Sequence, residues 1–201
     1  MRIKILCEGR TEEGLRKLLA KAVDIQGCGI KIKPYEGIAT LLRKLEDRIK
    51  AELLSGAQVV FCLVDYYHYP LPDEMRHLPI VKRIEAIKSD MTSQIDSTCH
   101  LMVRCHVVVH EVEAWILADE QVLAQRLKTK NLSPWNQPEI VNDMKPPAKV
   151  LEELFRTRLK RRYDKYKDGV DLLGKIDWQK VSEKCPTFKQ LVADLKSYCE
   201  A

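Results

Sequence analysis

The chain has 201 residues, of which 45% are hydrophobic and 31% are charged, and its formal net charge is +5. This length is enough for one domain with a substantial core, and this composition is typical of a globular chain, which excludes a largely disordered protein. No apolar run reaches about 18 residues and no export signal is visible, so the sequence predicts neither a membrane span nor secretion. The small basic excess, 34 basic against 29 acidic residues, only weakly favours a polyanionic partner.

Apolar stretches that predict β-strands alternate with stretches of helical spacing along the first 127 residues. The predicted strands are Arg2 to Cys7, Ile30 to Tyr35, Gln58 to Asp65 and Leu101 to His110. The predicted helices are one capped by Thr11, one over Ile38 to Ile49, a weaker one over Val81 to Ile87, and one over Glu113 to Leu127. This alternation predicts an α/β domain with a mostly parallel, Rossmann-like sheet and helices on both faces.

The character of the sequence changes after Leu127. Residues 128–145 are punctuated by Pro, Asn and Ser, which is typical of a connecting segment. Residues 146–201 contain an apolar helical stripe from Val150 to Leu159 and shorter helical patterns around Asp168 to Leu173 and Pro186 to Tyr198. The sequence thus predicts an α/β domain over 1–127, a connecting segment, and a C-terminal helical appendage.

The chain has seven cysteines, and none of them belongs to a C-x-x-C pair. Several lie in apolar strand-like runs, where a free cysteine behaves as a small hydrophobic residue. An odd count without an export signal favours free thiols in a reducing cytoplasm.

Acidic residues follow the predicted strands at their C-terminal ends. Glu8 ends the first strand, Asp65 ends the third, and Glu111 and Glu113 follow the fourth. The carboxyl ends of parallel strands lie at one edge of a sheet, so these side chains are expected to meet across a crevice. Carboxylate oxygens suit Mg²⁺ or Mn²⁺, and such ions can activate phosphate chemistry, so the pattern predicts a divalent-metal site.

Several other kinds of site are excluded by missing residues. His110 and Glu111 begin a zinc-protease pattern, but Ala114 stands where its second histidine would be. The chain has no G-x-x-x-x-G-K-[ST] phosphate loop and no G-x-S-x-G nucleophile motif. The remaining histidines show no spacing typical of metal ligands.

A basic run, RTRLKRRYDKYK, extends from Arg156 to Lys167 with two tyrosines among its basic residues. Such a run can follow a phosphate backbone while tyrosines stack on bases, or it can be a solvated helix face. Both interpretations stay open from the residues alone. The residues predicted to bind nucleic acid are Arg10, Arg161, Arg162, Lys165 and Lys167.

Three stretches in order, CEGRTEE, FCLVDYY and VHEVEAWILAD, resemble the TOPRIM-like proteins of domain-of-unknown-function family 4276. The resemblance continues through KPPAKVLEELF, RRYDKYKDGVDLL and KCPTFKQLVADL, so it covers nearly the whole chain. It implies a TOPRIM fold, in which a glutamate after the first strand and a D-x-D pair after the third bind divalent metal. By resemblance, Glu8 is the glutamate, as proton shuttle or metal ligand, and Asp65 is the first aspartate. The chain departs from the pattern at Tyr67, which replaces the second aspartate, so Glu111 or Glu113 would have to supply the missing oxygen.

The resemblance, together with the acidic edge, favours an Mg²⁺- or Mn²⁺-dependent, nuclease-like protein that cleaves phosphodiester bonds. In this hypothesis Glu8 and Asp65 are catalytic, and Glu8, Asp65, Glu111 and Glu113 hold the metal. The family resemblance also implies DNA or RNA as partner and a separate ATPase in mobile-element or phage defence. The alternative is a non-catalytic nucleic-acid-binding or regulatory subunit that keeps the fold, for which Tyr67 is the main observation.

Overall fold

A four-stranded, all-parallel sheet forms the centre of the part of the chain that the structure describes. The structure is a computed structural model, which describes residues 1–23, 27–109, 111–140 and 145–200 and all of their side chains except that of His68. The strands lie in the order β2-β1-β3-β4. Their bounds are β1 Arg2–Cys7, β2 Gly29–Pro34, β3 Val59–Asp65 and β4 Val103–Val108.

Helices connect the strands and form the C-terminal part of the chain. Those of the first part are α1 Leu15–Ala22, α2 Ile38–Leu42, α3 Leu45–Leu54, α4 Asp73–Arg76, α5 Ile80–Ser93, α6 Glu113–Leu117 and α7 Glu120–Arg126. Those of the last part are α8 Pro147–Leu159, α9 Val170–Leu173, α10 Trp178–Lys184 and α11 Pro186–Cys199. Short 3-10 turns at Thr11–Gly14, Tyr66–His68 and Ser97–Met102 and a π-helical turn at Lys165–Gly169 complete the elements used below.

The alternation of side chains along the strands divides the core into two layers. Ile3, Ile5 and Phe61 belong to a layer that includes α1 and the C-terminal helices. Leu6 and Cys62 belong to the opposite layer, which includes α2, α3 and α5. The central strand β3 is buried on both faces and is a nearly continuous hydrophobic run, whereas the edge strand β2 alternates apolar and charged residues. The predicted α/β class, with a parallel sheet and helices on both faces, is confirmed.

The strand order creates a crevice between the ends of β1 and β3. From β1 the chain goes to β2 on one side of it, returns to β3 on its other side, and then continues outward to β4. In open α/β sheets, ligands bind at such a reversal, outside the carboxyl ends of the strands. Glu8 and Asp65 stand at these two ends.

Two predicted helices are each divided in the structure. The pattern from Ile38 onward forms α2 and α3, separated at Arg43 and Lys44. The pattern from Glu113 to Leu127 forms α6 and α7, because the Asp119 carboxylate caps the second helix by accepting from the amide of Val122 at 3.3 Å. Periodicity of apolar residues does not reveal such breaks, since the apolar face continues across them.

The start of the first helix and the last strand also differ from prediction. Thr11 does not cap α1; it is the first residue of the 3-10 turn that precedes it. Leu101 and Met102 belong to a 3-10 turn, so β4 begins at Val103. His110, the predicted end of this strand, lies outside the described residues.

Helices after residue 145 share the core of the sheet. Leu151 and Phe155 of α8 and Phe188 of α11 are fully buried in the same layer as α1. The Trp115 indole donates to Glu139 Oε1 at 3.1 Å, which attaches the predicted connecting segment to α6. The division into 1–127, 128–145 and 146–201 stays a prediction, but the last part is firmly packed on the sheet.

One pair of cysteines departs from the expectation of free thiols. Cys28, before β2, and Cys199, at the end of α11, form a disulfide across 171 residues of sequence. Cys7, Cys62 and Cys185 are free and buried, as predicted for small hydrophobic residues. Spacing along the sequence cannot reveal a pair that only the packing of α11 brings together. No helix in the described ranges is long and apolar enough to cross a membrane.

Gly14, at the end of the 3-10 turn before α1, allows that turn to approach α9 closely, and this gives a test of the fold. A Cβ atom at residue 14 would lie 2.8 Å from the Val170 carbonyl oxygen and 2.9 Å from the Leu173 Cβ. We expect Gly14→Ala to lower the free energy of unfolding by about 1–3 kcal/mol through overpacking, although alanine favours helix. Urea denaturation followed by circular dichroism measures the change. Gly29→Ala is the control, since a Cβ atom at residue 29 would have its nearest neighbour 3.9 Å away. Equal stability of the two variants would contradict the close packing of Gly14 against α9.

Candidate functional site

Glu8 and Asp65 meet at the carboxyl edge of the sheet. The Asp65 backbone amide donates a hydrogen bond to Glu8 Oε1, which fixes the glutamate across the ends of β1 and β3. Glu8 is buried, and Asp65 Oδ1 is also buried and accepts no hydrogen bond from the described residues. The predicted meeting of these two side chains is therefore present in the structure.

Glu12 adds a further carboxylate to this edge, which the sequence interpretation missed. It lies in the 3-10 turn that follows β1, and its side chain folds back over Gly9, where a Cβ would stand 3.0 Å from Glu12 Oε2. Glu12 is buried, whereas first-turn acids usually face solvent. The signal in the sequence was that Glu12 follows Glu8 closely, just after the strand end where the other acids gather.

Glu111 and Glu113 approach from the opposite side of the crevice, and Lys165 joins them. Lys165 Nζ lies 2.9 Å from Glu111 Oε1 and 3.8 Å from Glu113 Oε1. Glu111 Oε2 accepts a hydrogen bond from the Ala148 amide, in the first turn of α8, at 3.1 Å. Both oxygens of Glu111 therefore already have donors. Glu113 Oε1 is buried and accepts no hydrogen bond from the described residues.

These side chains line one open cavity of about 590 Å³. It contains the four carboxylates predicted from the sequence, together with Glu12 and Lys165. Its other lining residues are Gly9, Arg10, Thr11, Glu36, Gly37, Ile38, Ala39 and Val112.

Four carboxyl groups of the cavity hold their protons more tightly than ordinary ones. Burial raises the pKa of Glu8, Glu12 and Glu113 to about 7 each. Burial, together with the charges of Glu8 and Glu12, raises the pKa of Asp65 well above its usual range. Burial alone would lower the pKa of Lys165, but the Glu113 and Glu111 carboxylates outweigh it and raise that pKa. The cavity thus has an excess of negative charge that favours protons or other cations.

The residues of the cavity fit a hard divalent cation by their chemistry. Asp65 Oδ1 and Glu113 Oε1 are buried oxygens without donors, and carboxylate oxygen is the preferred ligand of Mg²⁺ and Mn²⁺. In the described ranges, no three His, Cys, Asp or Glu side chains converge closely enough to hold an ion together. An ion bound here would be held by one or two of these carboxylates together with water, or by carboxylates that move inward from these positions.

The basic run from Arg156 to Lys167 is not one continuous surface. It ends α8, turns at Lys160, whose φ is 56°, and enters the π-helical turn that begins at Lys165. Arg161 donates to both oxygens of buried Asp168, at 2.6 and 2.7 Å, and Arg126 donates to the same carboxylate at 2.5 Å. Arg161 therefore has a structural contact with Asp168, and its predicted contact with nucleic acid stays a prediction.

The other predicted nucleic-acid-binding residues lie in different places. Arg10 lines the carboxylate cavity and lies 3.8 Å from exposed Glu36. Lys165 belongs to the carboxylate cavity, and Arg162 lines a separate groove beside α8. The Lys167 side chain is exposed. The structure therefore does not bring the five together, and their contact with nucleic acid stays a prediction.

A family model described as a domain of unknown function, DUF4276, matches residues 7–196 of the chain. This match confirms the resemblance seen in CEGRTEE and the motifs that follow it. No curated protein is significantly similar in sequence to the chain. Among solved structures, the chain is similar to the C-terminal region of the Burkholderia pseudomallei OLD protein, with 14% sequence identity, a TM-score of 0.47 and coverage of 98% of each chain.

The raised pKa of Asp65 predicts how the stability of the metal-free protein depends on pH. A carboxyl with a raised folded-state pKa ionises first in the unfolded chain, so its contribution to stability is full at low pH and is lost as the pH rises. We expect Asp65→Asn to raise the melting temperature in EDTA at pH 8 and to change it little at pH 4.5. Thermal melts of both proteins at several pH values measure this, with Asp73→Asn, at an exposed site, as control. If Asp65→Asn lowers the melting temperature equally at both pH values, the ionised Asp65 is not repelled by its neighbouring carboxylates.

Replacing Asp168 is expected to destabilise the protein, in contrast to replacing Asp65, because two arginines neutralise the Asp168 carboxylate. Burial would raise its pKa, but hydrogen bonds from Arg161 and Arg126 hold the pKa of Asp168 well below its usual range. We expect Asp168→Asn to lower the free energy of unfolding by about 1.5–3 kcal/mol at pH 7. Asp171→Asn, which removes an exposed pair with Lys175, is expected to change it by less than about 0.5 kcal/mol. Denaturant unfolding compares the two, and similar small losses would show that the arginines do not depend on Asp168.

Proposed function

The chain belongs to the DUF4276 family, and from its carboxylate cavity we propose that it is an Mg²⁺- or Mn²⁺-dependent, nuclease-like protein that cleaves phosphodiester bonds. One observation carries the proposal: buried carboxylates from the ends of β1, β3 and β4 line one cavity. The Lys165 ammonium group pairs with two of them, Glu111 and Glu113. An excess of buried negative charge is costly unless protons or cations offset it. A divalent ion that takes oxygen ligands offsets it best at neutral pH.

The proposed metal ligands are Glu8, Glu12, Asp65 and Glu113. Asp65 and Glu113 each have a buried oxygen without a donor from the described residues, which supports direct coordination. Glu111 was predicted as a ligand too, but its two oxygens already accept from Lys165 and Ala148. Its proposed part is therefore to position Lys165 and the first turn of α8 beside the cavity.

The side chains suggest how hydrolysis would proceed. A bound ion would polarise the phosphoryl group and stabilise the leaving oxygen. Glu8 would take a proton from the attacking water and return it to the leaving oxygen as the phosphorus–oxygen bond breaks. Lys165 can bind a phosphate oxygen while it remains paired with Glu111.

Tyr67 supports the second candidate function, a non-catalytic nucleic-acid-binding or regulatory subunit. The family resemblance places an aspartate there, but Tyr67 is about half exposed and is not among the residues that line the cavity. Glu12, which is not part of the D-x-D motif, gives the cavity a further carboxylate that can replace the aspartate missing at Tyr67. For this reason we favour catalysis over the regulatory alternative.

The remaining parts of the proposal rest on the family resemblance. The substrate would be DNA or RNA, and a separate ATPase would act with the chain in mobile-element or phage defence. A cytoplasmic location also stays a proposal.

Cleavage of supercoiled plasmid tests the function directly. We expect the wild-type protein to nick the plasmid with Mn²⁺ or Mg²⁺ and not with EDTA. Glu8→Gln should lower the rate at least about 100-fold, since it removes the proposed proton acceptor. Gel separation of supercoiled and open-circular forms measures the rate. A plasmid that stays intact with the wild type under all metals, although the protein binds it, would support the regulatory subunit instead.

Glu12 and its neighbour Glu13 form a matched pair for the metal site. Glu12 is buried in the cavity, whereas Glu13 is partly exposed and does not line it. We expect Glu12→Gln to weaken Mn²⁺ binding about 10- to 100-fold and Glu13→Gln to leave it unchanged. Isothermal titration calorimetry measures both affinities. Equal affinities would remove Glu12 from the proposed ligands.

A further inference from the structure

A second concave surface lies beside the carboxylate cavity, along one side of α8. This basic groove, of about 540 Å³, is lined by Lys145, Lys149, Glu152, Glu153, Arg156, Arg162 and Tyr163. Three of its residues, Lys145, Lys149 and Arg156, were not among the predicted nucleic-acid-binding positions.

The two walls of the basic groove come from α8 and from the chain that returns after it. Lys149, Glu152 and Arg156 follow helical spacing, so they lie on one side of α8. The left-handed conformation of Lys160 ends the helix and reverses the chain. The contact of Arg161 with Asp168 then holds the reversed segment, so that Arg162 and Tyr163 face α8 as the opposite wall.

Positive charge exceeds negative charge in the basic groove. Two lysines are paired with its two acids: Lys145 with Glu153, and Lys149 with Glu152 at 2.9 Å. These pairs are well exposed, and such pairs contribute little, so the lysines can exchange partners easily. Arg156 and Arg162 are exposed and form no ion pair within the described part of the chain. The groove therefore offers two uncompensated guanidinium groups to an anion.

The two segments of the chain that build the basic groove also contact the carboxylate cavity. The amide of Ala148, next to Lys149, donates to Glu111 in the cavity, and Lys165, two residues after Tyr163, pairs with the same glutamate. The rise along α8 from Lys149 to Arg156 is about 10 Å, close to that of about three nucleotides in one strand of a duplex. Because the N-terminal end of α8 contacts Glu111 of the cavity, a strand bound along α8 would extend toward the cavity.

We propose that the basic groove binds the phosphodiester backbone of the nucleic-acid strand that the carboxylate cavity acts on, with Arg156 and Arg162 as its phosphate contacts. This inference rests on the proposed function for the identity of the strand. The groove contributes affinity and orientation without reading base sequence, because guanidinium groups bind phosphate oxygens that every nucleotide carries.

Binding in EDTA tests the groove separately from metal-dependent cleavage. Fluorescence anisotropy with a labelled 20-nucleotide single strand, and with the matching duplex, gives the dissociation constant at several salt concentrations. We expect the double variant Arg156→Gln/Arg162→Gln to bind more weakly, with a salt slope smaller by about 1.4 for the single strand or about 1.8 for the duplex. The groove prefers the form, single strand or duplex, whose dissociation constant rises more in the double variant.

A control variant with the same change in net charge makes the result specific. Arg158→Gln/Lys189→Gln removes two exposed basic residues that do not line the groove, and it should keep the wild-type slope. Thermal melts verify that both variants are folded. Equal slopes for the two double variants, or a wild-type protein that binds neither oligonucleotide, would overturn the proposal. Poly-glutamate that competes as well as the oligonucleotide would also overturn it, in favour of an acidic polypeptide.

The two proposals can fail independently in these experiments. If Arg156→Gln/Arg162→Gln loses affinity while the wild type does not nick plasmid, the groove stands and cleavage is wrong. If both double variants bind alike while the wild type nicks plasmid with Mn²⁺, cleavage stands and the groove is wrong.

Discussion

The crowding of buried carboxylates at one edge of a parallel sheet is the constraint on which the rest of the site depends. Parallel strands end together, so acids that follow β1, β3 and β4 meet whether or not their charges favour it. In the metal-free protein this repulsion is relieved by raised pKa values and by Lys165. Neither relief is complete, because the Asp65 Oδ1 and Glu113 Oε1 atoms stay buried without donors from the described residues. This cost is what the proposed cation would offset.

Both polar contacts and an apolar core join the C-terminal part of the chain to the carboxyl edge of the sheet. Ala148 and Lys165 both donate to Glu111, and so α8 and the turn after it are fixed beside the cavity. Asp168 lies three residues after Lys165 and is bound by Arg161 and Arg126. This well-compensated carboxylate stabilises the turn, and the turn places the lysine among the poorly compensated ones. The ion pairs of Asp168 thus help to hold Lys165 in the carboxylate cavity.

How much the sequence predicts depends on whether the signal is local. β1 was predicted with the bounds that the structure has, because its apolar run stops at a carboxylate and a glycine. The common edge of Glu8 and Asp65 was also predictable from strand polarity, and the pairing of β1 with β3 then brings them into contact. Glu12 was not recognised because a first-turn acid usually faces water, and its burial depends on the turn that folds it over Gly9. The pairing of Cys28 with Cys199 depends on how α11 packs, which no local pattern records.

The basic run shows most clearly why charge alone does not assign function. Neighbouring residues of the same type have different environments: Arg161 binds a buried carboxylate, Arg162 faces the basic groove, and Lys165 enters the acidic cavity. A polyanion that approached the acidic cavity directly would be repelled by its carboxylates, so favourable cations are most useful beside the cavity and not within it. The reversal of the chain at Lys160 makes that separation possible, because it lets one short segment supply both a cation for the cavity and a cation for its flank.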